Sequence, residues 1–85
     1  MNITIYGAGN VGTQFAVHCA SKGHRTTIFT SKPERISKTL TIIDENDKVT
    51  LSSTIDNVTN DAFTAFNDAD LVFVISSFGA LTITF

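Results

Sequence analysis

The stretch that decides the fold is NITIYGAGNVG, residues 2–12. Its first half, Asn2 to Tyr6, alternates polar and apolar side chains and includes β-branched residues, which is typical of a short strand. Three glycines follow, at positions 7, 9 and 12. The next apolar residues recur at the spacing of one helix face, which predicts a helix from Val11 to Lys22. The chain therefore opens with a strand, a glycine turn and a helix.

The next forty residues alternate strand and turn signals. Gly23 is suited to end the helix, and residues 25–30 are rich in β-branched side chains, which predicts a second strand. Ser31 followed by Pro33 predicts the start of a short helix capped by the serine. Residues 39–43 and 48–51 are predicted to be two strands around the polar turn 44–47.

The last part of the chain contains a strand signal of a different kind. A short helix is predicted over residues 60–66, and the continuous apolar run 71–75 is typical of a parallel strand buried on both faces. Residues 81–85 alternate again, where a helix would be usual in this class. We therefore expect an α/β fold with a partial doubly wound parallel sheet of order 3-2-1-4, in which residues 2–6 and 71–75 are strands 1 and 4. A β-hairpin-like insertion follows the second strand.

The glycine turn has the spacing of a dinucleotide-binding loop, with a strand before it and a helix after it. Gly7 permits the tight turn, Gly9 leaves space for a pyrophosphate, and Gly12 lets the helix approach the strand. The first N–H groups of the helix would then face the phosphates, so Ala8, Asn10 and Val11 also belong to the predicted site. The alternative is a glycine-rich turn that binds no ligand.

The residues after the second strand bear on the choice between NAD and NADP. NAD-binding units usually place Asp or Glu there to accept from the ribose 2′-hydroxyl. This chain has Thr30, Ser31 and Lys32, with Arg35 one turn later, and these side chains suit a 2′-phosphate instead. NADP is therefore favoured over NAD as the cofactor. In the alternative interpretation, Ser31 caps a helix and both cations are solvated.

Residues 1 to about 78 resemble the N-terminal NAD(P)-binding Rossmann domain of the ketopantoate reductase and opine dehydrogenase superfamily. The stretches that carry the resemblance are MNITIYGAGNVG (1–12), KGH (22–24), DADLVFV (68–74) and the hairpin over 39–51. In ketopantoate reductases a basic residue at the position of Ser31 contacts the 2′-phosphate, so Lys32 or Arg35 would have to replace it here. The resemblance also implies that the loop following the apolar strand contacts the cofactor, which adds Ser76, Ser77 and Phe78.

The resemblance implies a domain organisation and a function. Residues 1–78 would be a dinucleotide-binding half-domain and residues 79–85 an atypical tail, without the helical catalytic domain of that superfamily. We expect the cofactor-binding part of a small-molecule oxidoreductase, of the 2-dehydropantoate 2-reductase or opine dehydrogenase kind, lacking full catalysis. No catalytic residue is assigned. No metal site is assigned either, because Lys48 stands where a calcium loop needs an oxygen donor after Asp44, Glu45 and Asp47.

Composition excludes several classes of protein. Six Lys and Arg against eight Asp and Glu leave a net charge of -2, without the basic footprint of a nucleic-acid binder. No apolar run approaches the length of a membrane span, and one cysteine, Cys19, excludes an internal disulfide. These features favour a cytoplasmic protein that contacts neither nucleic acid nor membrane.

Two alternatives to an oxidoreductase fragment are open. The first is a non-catalytic nucleotide-sensing module, although such modules place an acid after the second strand and this chain does not. The second is a self-associating module. In this alternative the chain forms a homodimer through the apolar strand or through the alternating residues 81–85 of the tail, which would pair with another copy.

Overall fold

A computed structural model describes residues 1–7, 10–43, 49–76 and 79–84. In chain order its elements are β1 (Asn2–Tyr6), α1 (Asn10–Ser21), β2 (Arg25–Phe29), a 3-10 helix (Pro33–Arg35), β3 (Thr39–Ile43), β4 (Val49–Thr54), β5 (Asn57–Thr59), α2 (Ala62–Phe66), β6 (Leu71–Ser76) and β7 (Gly79–Thr84). None of the helices in these ranges combines the length and the apolar content that a membrane crossing requires.

The main sheet has the strand order β5-β2-β1-β6-β7. The first four strands are parallel, and β7 runs antiparallel to β6. With β5 as the third strand, this confirms the α/β class and the 3-2-1-4 order. Strands β3 and β4 form a separate antiparallel pair, which is the predicted hairpin after the second strand. Its polar turn, 44–47, lies outside the described residues.

One face of the main sheet holds the core. Ile5 pairs with Ile28 in register, and both side chains are fully buried. They pack with Ile3, Ala16 of α1 and Ile55. Successive strand residues point to opposite faces, so the alternating isoleucines of β1 all meet α1. Hydrophobic burial on this face therefore positions α1 across the sheet.

The β3–β4 hairpin lies on α1 away from the sheet. Leu40 of β3 packs against the core cluster, and Leu40 and Ile42 line a small pocket together with Val17 of α1. Val17 is buried as a result. Helix α1 is thus enclosed between two sheets. This explains why the insertion has its own two-stranded pairing and does not extend the main sheet.

The opposite face of the sheet carries α2. The Thr4 hydroxyl donates to the carbonyl oxygen of Ala65 at 2.5 Å and ties this short helix to β1. Asp61 caps α2, because its carboxylate accepts from the backbone nitrogen of Thr64 at 3.4 Å. Five residues can cover only part of a sheet face, and Tyr6 at the end of β1 is 45% exposed beside the helix.

Two local expectations have different outcomes. Gly23 has the expected left-handed conformation, φ +84°, at the end of α1. The predicted helix cap at Ser31 is wrong: the short helix is a single 3-10 turn whose N-cap is Lys32, with no side-chain cap. Pro33 at its start lacks an N–H and fits a first turn, so the turn can begin without a serine cap.

Candidate functional site

The turn after β1 is tightly enclosed by its neighbours. Gly7 has φ +94°, a conformation that side chains rarely adopt. Its N–H donates to the carbonyl oxygen of Phe29 at 3.2 Å, which joins the ends of β1 and β2. A β-carbon at Gly7 would lie 2.5 Å from the carbonyl oxygen of Ile75 in β6. The chain at this point therefore has room for backbone only.

Helix α1 approaches the same turn through Gly12. This residue is buried, and a β-carbon on it would collide with the carbonyl oxygen of Gly7 and lie 3.7 Å from Cγ2 of Ile5. The contact gives the physical reason for glycine at this position. The close approach of α1 to the end of β1 is the one that glycine at this position of a dinucleotide-binding unit permits.

The first turn of α1 contains no acidic residue. The helix begins at Asn10 and has twelve residues. An anion at this end would meet the positive end of the helix dipole without a competing acidic residue. Ala8 and Gly9, which the sequence predicts to face that ligand, lie outside the described residues. Val11 is in the first turn of the helix.

A cleft of about 590 Å³ lies beside the turn, at the carboxyl ends of β1, β2 and β5. Its lining comprises Tyr6, Gly7, Phe29, Thr30, Ser31 and Asn60. Ligands of doubly wound sheets bind at this edge of the strands. The volume lies within the range of small-molecule and cofactor pockets.

Aromatic rings form one wall of the cleft. The ring centroids of Tyr6 and Phe29 are 5.2 Å apart, and those of Phe29 and Phe66 are 5.1 Å apart. Phe66, in α2, packs against both of these rings but does not line the cleft itself. Packing among the three rings holds Tyr6 and Phe29 at the edge of the sheet, where they present an apolar surface to a ligand.

Sequence reasoning missed Tyr6, Phe29 and Asn60 as site residues. Each stands at or just after the carboxyl end of a parallel strand, and that position is the signal that could have found them. Asn60 could not be assigned to the site from the sequence, because the strand that it follows, β5, was not predicted. Its three residues are too few to show a periodicity.

The predicted ribose-binding residues are only partly brought together. Thr30 and Ser31 line the cleft, and the N–H of Thr30 donates to the carbonyl oxygen of Thr59 at 2.9 Å. The Thr30 hydroxyl accepts from the backbone nitrogen of Lys32 at 3.3 Å. Lys32 and Arg35 are exposed and stand outside the cleft lining. Their contact with a 2′-phosphate stays a prediction.

Two carboxylates accept hydrogen bonds at the amino ends of the parallel strands, opposite the cleft. Asp70 accepts from the backbone nitrogen of Asn2 at 2.7 Å, and Asp56 accepts from that of Thr26 at 2.8 Å. Asp70 thus binds the N–H of the first residue of β1, and Asp56 binds that of the second residue of β2. Asp61, which follows the cleft residue Asn60, accepts a hydrogen bond from the Thr64 hydroxyl, and that bond lowers the pKa of its carboxyl.

The loop after β6 is described only up to Ser76. The carbonyl oxygen of Ile75 contacts the glycine turn, so β6 ends directly beside the predicted phosphate position. Ser77 and Phe78 lie outside the described residues. Whether these three residues contact a cofactor stays a prediction.

Other chemically active side chains are dispersed. Burial raises the pKa of the Cys19 thiol, whose neighbour His18 is exposed. Among the residues that the structure describes, no three His, Cys, Asp or Glu side chains come close enough to hold a metal ion. The acidic turn 44–47 is outside those residues.

Comparison with known proteins identifies the family. A model of the N-terminus of NAD-dependent glycerol-3-phosphate dehydrogenase matches residues 2–83. A glycerol-3-phosphate dehydrogenase (NAD(P)+) of Shewanella sediminis, strain HAW-EB3, is 47% identical over 36 residues, which is 42% of this chain and 11% of that protein. No solved structure gives a significant match.

These matches support the expected NAD(P)-binding Rossmann domain of an oxidoreductase, and with it a dinucleotide as the ligand. They do not support the assignment to ketopantoate reductases or opine dehydrogenases. The features quoted for that resemblance, the glycine turn and the apolar fourth strand, are general to dinucleotide-binding sheets, so they could not separate the families. The chain belongs to the family of NAD-dependent glycerol-3-phosphate dehydrogenase N-terminal domains.

Proposed function

We propose that this chain binds the adenosine diphosphate portion of NADP or NAD in the cleft at the carboxyl ends of β1, β2 and β5. It would thereby serve as the cofactor-binding unit of a glycerol-3-phosphate dehydrogenase. The observation that carries the proposal is the enclosure of Gly7. Its backbone packs against the Ile75 carbonyl on one side and against Gly12 on the other. These three backbone segments form a cradle that a β-carbon on either glycine would fill.

The pyrophosphate would lie over this cradle. Gly7, Gly9 and Gly12 keep the surface free of side chains, and the N–H groups near Ala8, Asn10 and Val11 would donate to the phosphate oxygens. Helix α1 supplies the positive end of a twelve-residue dipole with no competing carboxylate in its first turn. Backbone groups would thus provide most of the anion binding. Binding would require little rearrangement of the protein, because packing against the core already fixes the orientation of α1.

The adenosine would extend from the cradle into the cleft. Tyr6 and Phe29 offer an apolar wall, and Asn60 offers an amide on the β5 side. At the end of β2, Thr30 and Ser31 line the position of the ribose, with Lys32 and Arg35 beyond them. No carboxylate follows β2 directly to accept from a 2′-hydroxyl. This arrangement favours the 2′-phosphate of NADP over NAD.

The reaction follows from the family and from the chemistry of the cofactor. The bound nicotinamide would supply hydride transfer, and this chain would hold and orient the dinucleotide. The matched stretch covers only 11% of the Shewanella relative. We therefore propose the oxidation of glycerol 3-phosphate for the assembled enzyme, and cofactor binding as the part that this chain performs. No described contact favours pantoate or opine chemistry over it.

The test is calorimetric titration with NADPH, NADH and ADP. We expect all three to bind, with NADPH the tightest. Lys32→Ala should weaken NADPH by about 3- to 10-fold, since exposed charge pairs contribute modestly, and should leave NADH and ADP unchanged. Lys38→Ala is the matched control, because Lys38 is also exposed but stands at the start of the hairpin, away from the cleft.

Three outcomes would count against parts of the proposal. A folded protein that binds none of the three ligands overturns it entirely. Equal affinity for NADPH and NADH overturns the preference for NADP and leaves dinucleotide binding in place. A Lys32 variant indistinguishable from the Lys38 variant removes Lys32 from the 2′-phosphate site, and Arg35→Ala then tests the remaining cation.

A further inference from the structure

Two adjacent strands, β2 and β5, end in the same kind of turn at the cleft. After β2, the Thr30 hydroxyl accepts from the backbone nitrogen two residues later at 3.3 Å. After β5, the Thr59 hydroxyl accepts in the same way at 3.0 Å. Such local hydrogen bonds fix the course of the backbone through a turn. The central residues of the two turns, Ser31 and Asn60, both line the cleft.

The backbone on both sides of Asn60 is held in place. The carbonyl oxygen of Thr59 accepts from the N–H of Thr30 at 2.9 Å, which joins the two turns. On the other side, Asp61 caps α2, and its carboxylate also accepts from the Thr64 hydroxyl. The Asn60 side chain is exposed, and within the described residues no hydrogen bond engages it. The structure therefore fixes the backbone of Asn60 and leaves the amide of its side chain unpaired at the cleft.

The position of Asn60 along the sheet suits the base of a bound nucleotide. Neighbouring strands lie about 4.8 Å apart, so the ends of β1, β2 and β5 form three successive steps across the cleft. With the pyrophosphate at the turn after β1 and the ribose after β2, the base reaches the end of β5. Tyr6 and Phe29 supply the apolar wall on which a purine can stack.

A carboxamide matches the polar edge of adenine. Its oxygen accepts hydrogen bonds and its nitrogen donates them, and adenine presents an amino donor beside a ring-nitrogen acceptor. We propose, on the basis of the proposed function, that Asn60 determines the specificity of the cleft for adenine. Its Oδ1 accepts from the 6-amino group while the purine stacks on the aromatic wall. Stacking alone is tolerant of the base, because every base has a π-face, so the amide supplies the discrimination.

The test is calorimetric titration with ADP and with purine riboside 5′-diphosphate, which lacks only the 6-amino group of ADP. We expect the parent to bind ADP about 2- to 10-fold more tightly, which is the effect of one hydrogen bond between neutral groups. Asn60→Ala should bind both nucleotides with equal affinity, because it has no acceptor for the amino group. Asn60→Asp keeps an acceptor oxygen, so its preference for ADP should persist although its charge weakens the binding of both phosphates.

Asn67→Ala is the matched control. Asn67 is also exposed, but it ends α2 and lies outside the cleft lining, so this variant should keep the preference of the parent. A folded parent that binds neither nucleotide overturns the proposed function, and the role of Asn60 with it. A parent that binds both nucleotides equally overturns the role of Asn60 alone and leaves nucleotide binding in place. A preference that survives Asn60→Ala, or that is lost in Asn60→Asp, has the same consequence.

Discussion

A β-carbon placed on Gly7 would lie 2.5 Å from the carbonyl oxygen of Ile75, so the turn after β1 and the end of β6 meet with only backbone between them. This contact joins the first and fourth strands of the parallel sheet at the point where their order reverses. Doubly wound sheets bind ligands in the crevice at that point. The contact therefore concerns both stability and binding, and the two can be separated by experiment.

Gly7→Ala should lower both the stability and the affinity for dinucleotide. The substitution places a side chain at φ +94°, which costs about 1–2 kcal/mol, and forces the turn away from Ile75, which costs about 1–3 kcal/mol more. Urea denaturation measures the free energy of unfolding, and titration with ADP measures binding.

Gly23→Ala is the matched control for this effect. Gly23 also has a positive φ, +84°, but a β-carbon there would meet nothing within 4 Å. It should lose only the conformational part, about 1–2 kcal/mol, and bind ADP like the parent. Equal destabilisation by the two substitutions would show that the contact with Ile75 imposes no steric cost.

Thr4→Val should destabilise the fold by about 1–2 kcal/mol although the side chains have nearly the same shape. The Thr4 hydroxyl is buried and donates to the carbonyl oxygen of Ala65, so valine leaves an acceptor of α2 without that donor. Thr27→Val, at the paired position on β2, is the control for a change of polarity on the same face. We expect chemical denaturation to separate the two. A Thr4 variant as stable as the parent would mean that this hydrogen bond contributes no net stability.

Asp61 should make part of the stability depend on pH. The hydrogen bond from the Thr64 side chain lowers the pKa of this carboxyl in the folded state. A carboxyl whose folded pKa is lowered contributes stability that is fully present above its unfolded pKa, about 4, and is lost as the pH falls through the folded pKa. Stability measured between pH 2 and pH 6 should therefore decline more steeply in the parent than in Asp61→Asn, which keeps a cap oxygen but cannot ionise. Parallel curves would contradict the assignment.

The opening unit could be predicted because its signals are local. Three glycines at fixed spacing follow an alternating strand, and each glycine has one steric reason that the sequence alone suggests. The same is true of Leu71 to Ile75, whose uninterrupted apolar character predicted a strand parallel to β1. The expected burial on both faces is wrong, because only Val72 of these five residues is buried. The class of fold and the strand order follow from these two segments.

The remaining features depend on neighbours that are distant in sequence. β5 exists because Val58 pairs with Ile28 across thirty residues, and a three-residue strand has no pattern of its own. The cluster of Tyr6, Phe29 and Phe66 arises from the register between β1 and β2 and the position of α2 above them. For that reason the aromatic wall of the cleft could not be predicted from local sequence patterns.

Tyr6 offers the most direct test of that wall. Tyr6→Leu removes a ring that lines the cleft, and it should weaken ADP and NADPH alike by about 5- to 10-fold, since stacking of a base on an aromatic side chain contributes about 1–3 kcal/mol. Phe66→Leu is the matched control, because Phe66 belongs to the same cluster but stands outside the cleft lining. It should cost stability through lost packing and leave affinity nearly unchanged. Calorimetric titration of both variants, at a temperature where each is folded, makes the comparison. If the two substitutions weaken binding equally, the rings act only as packing, and the adenosine lies elsewhere along the edge of the sheet.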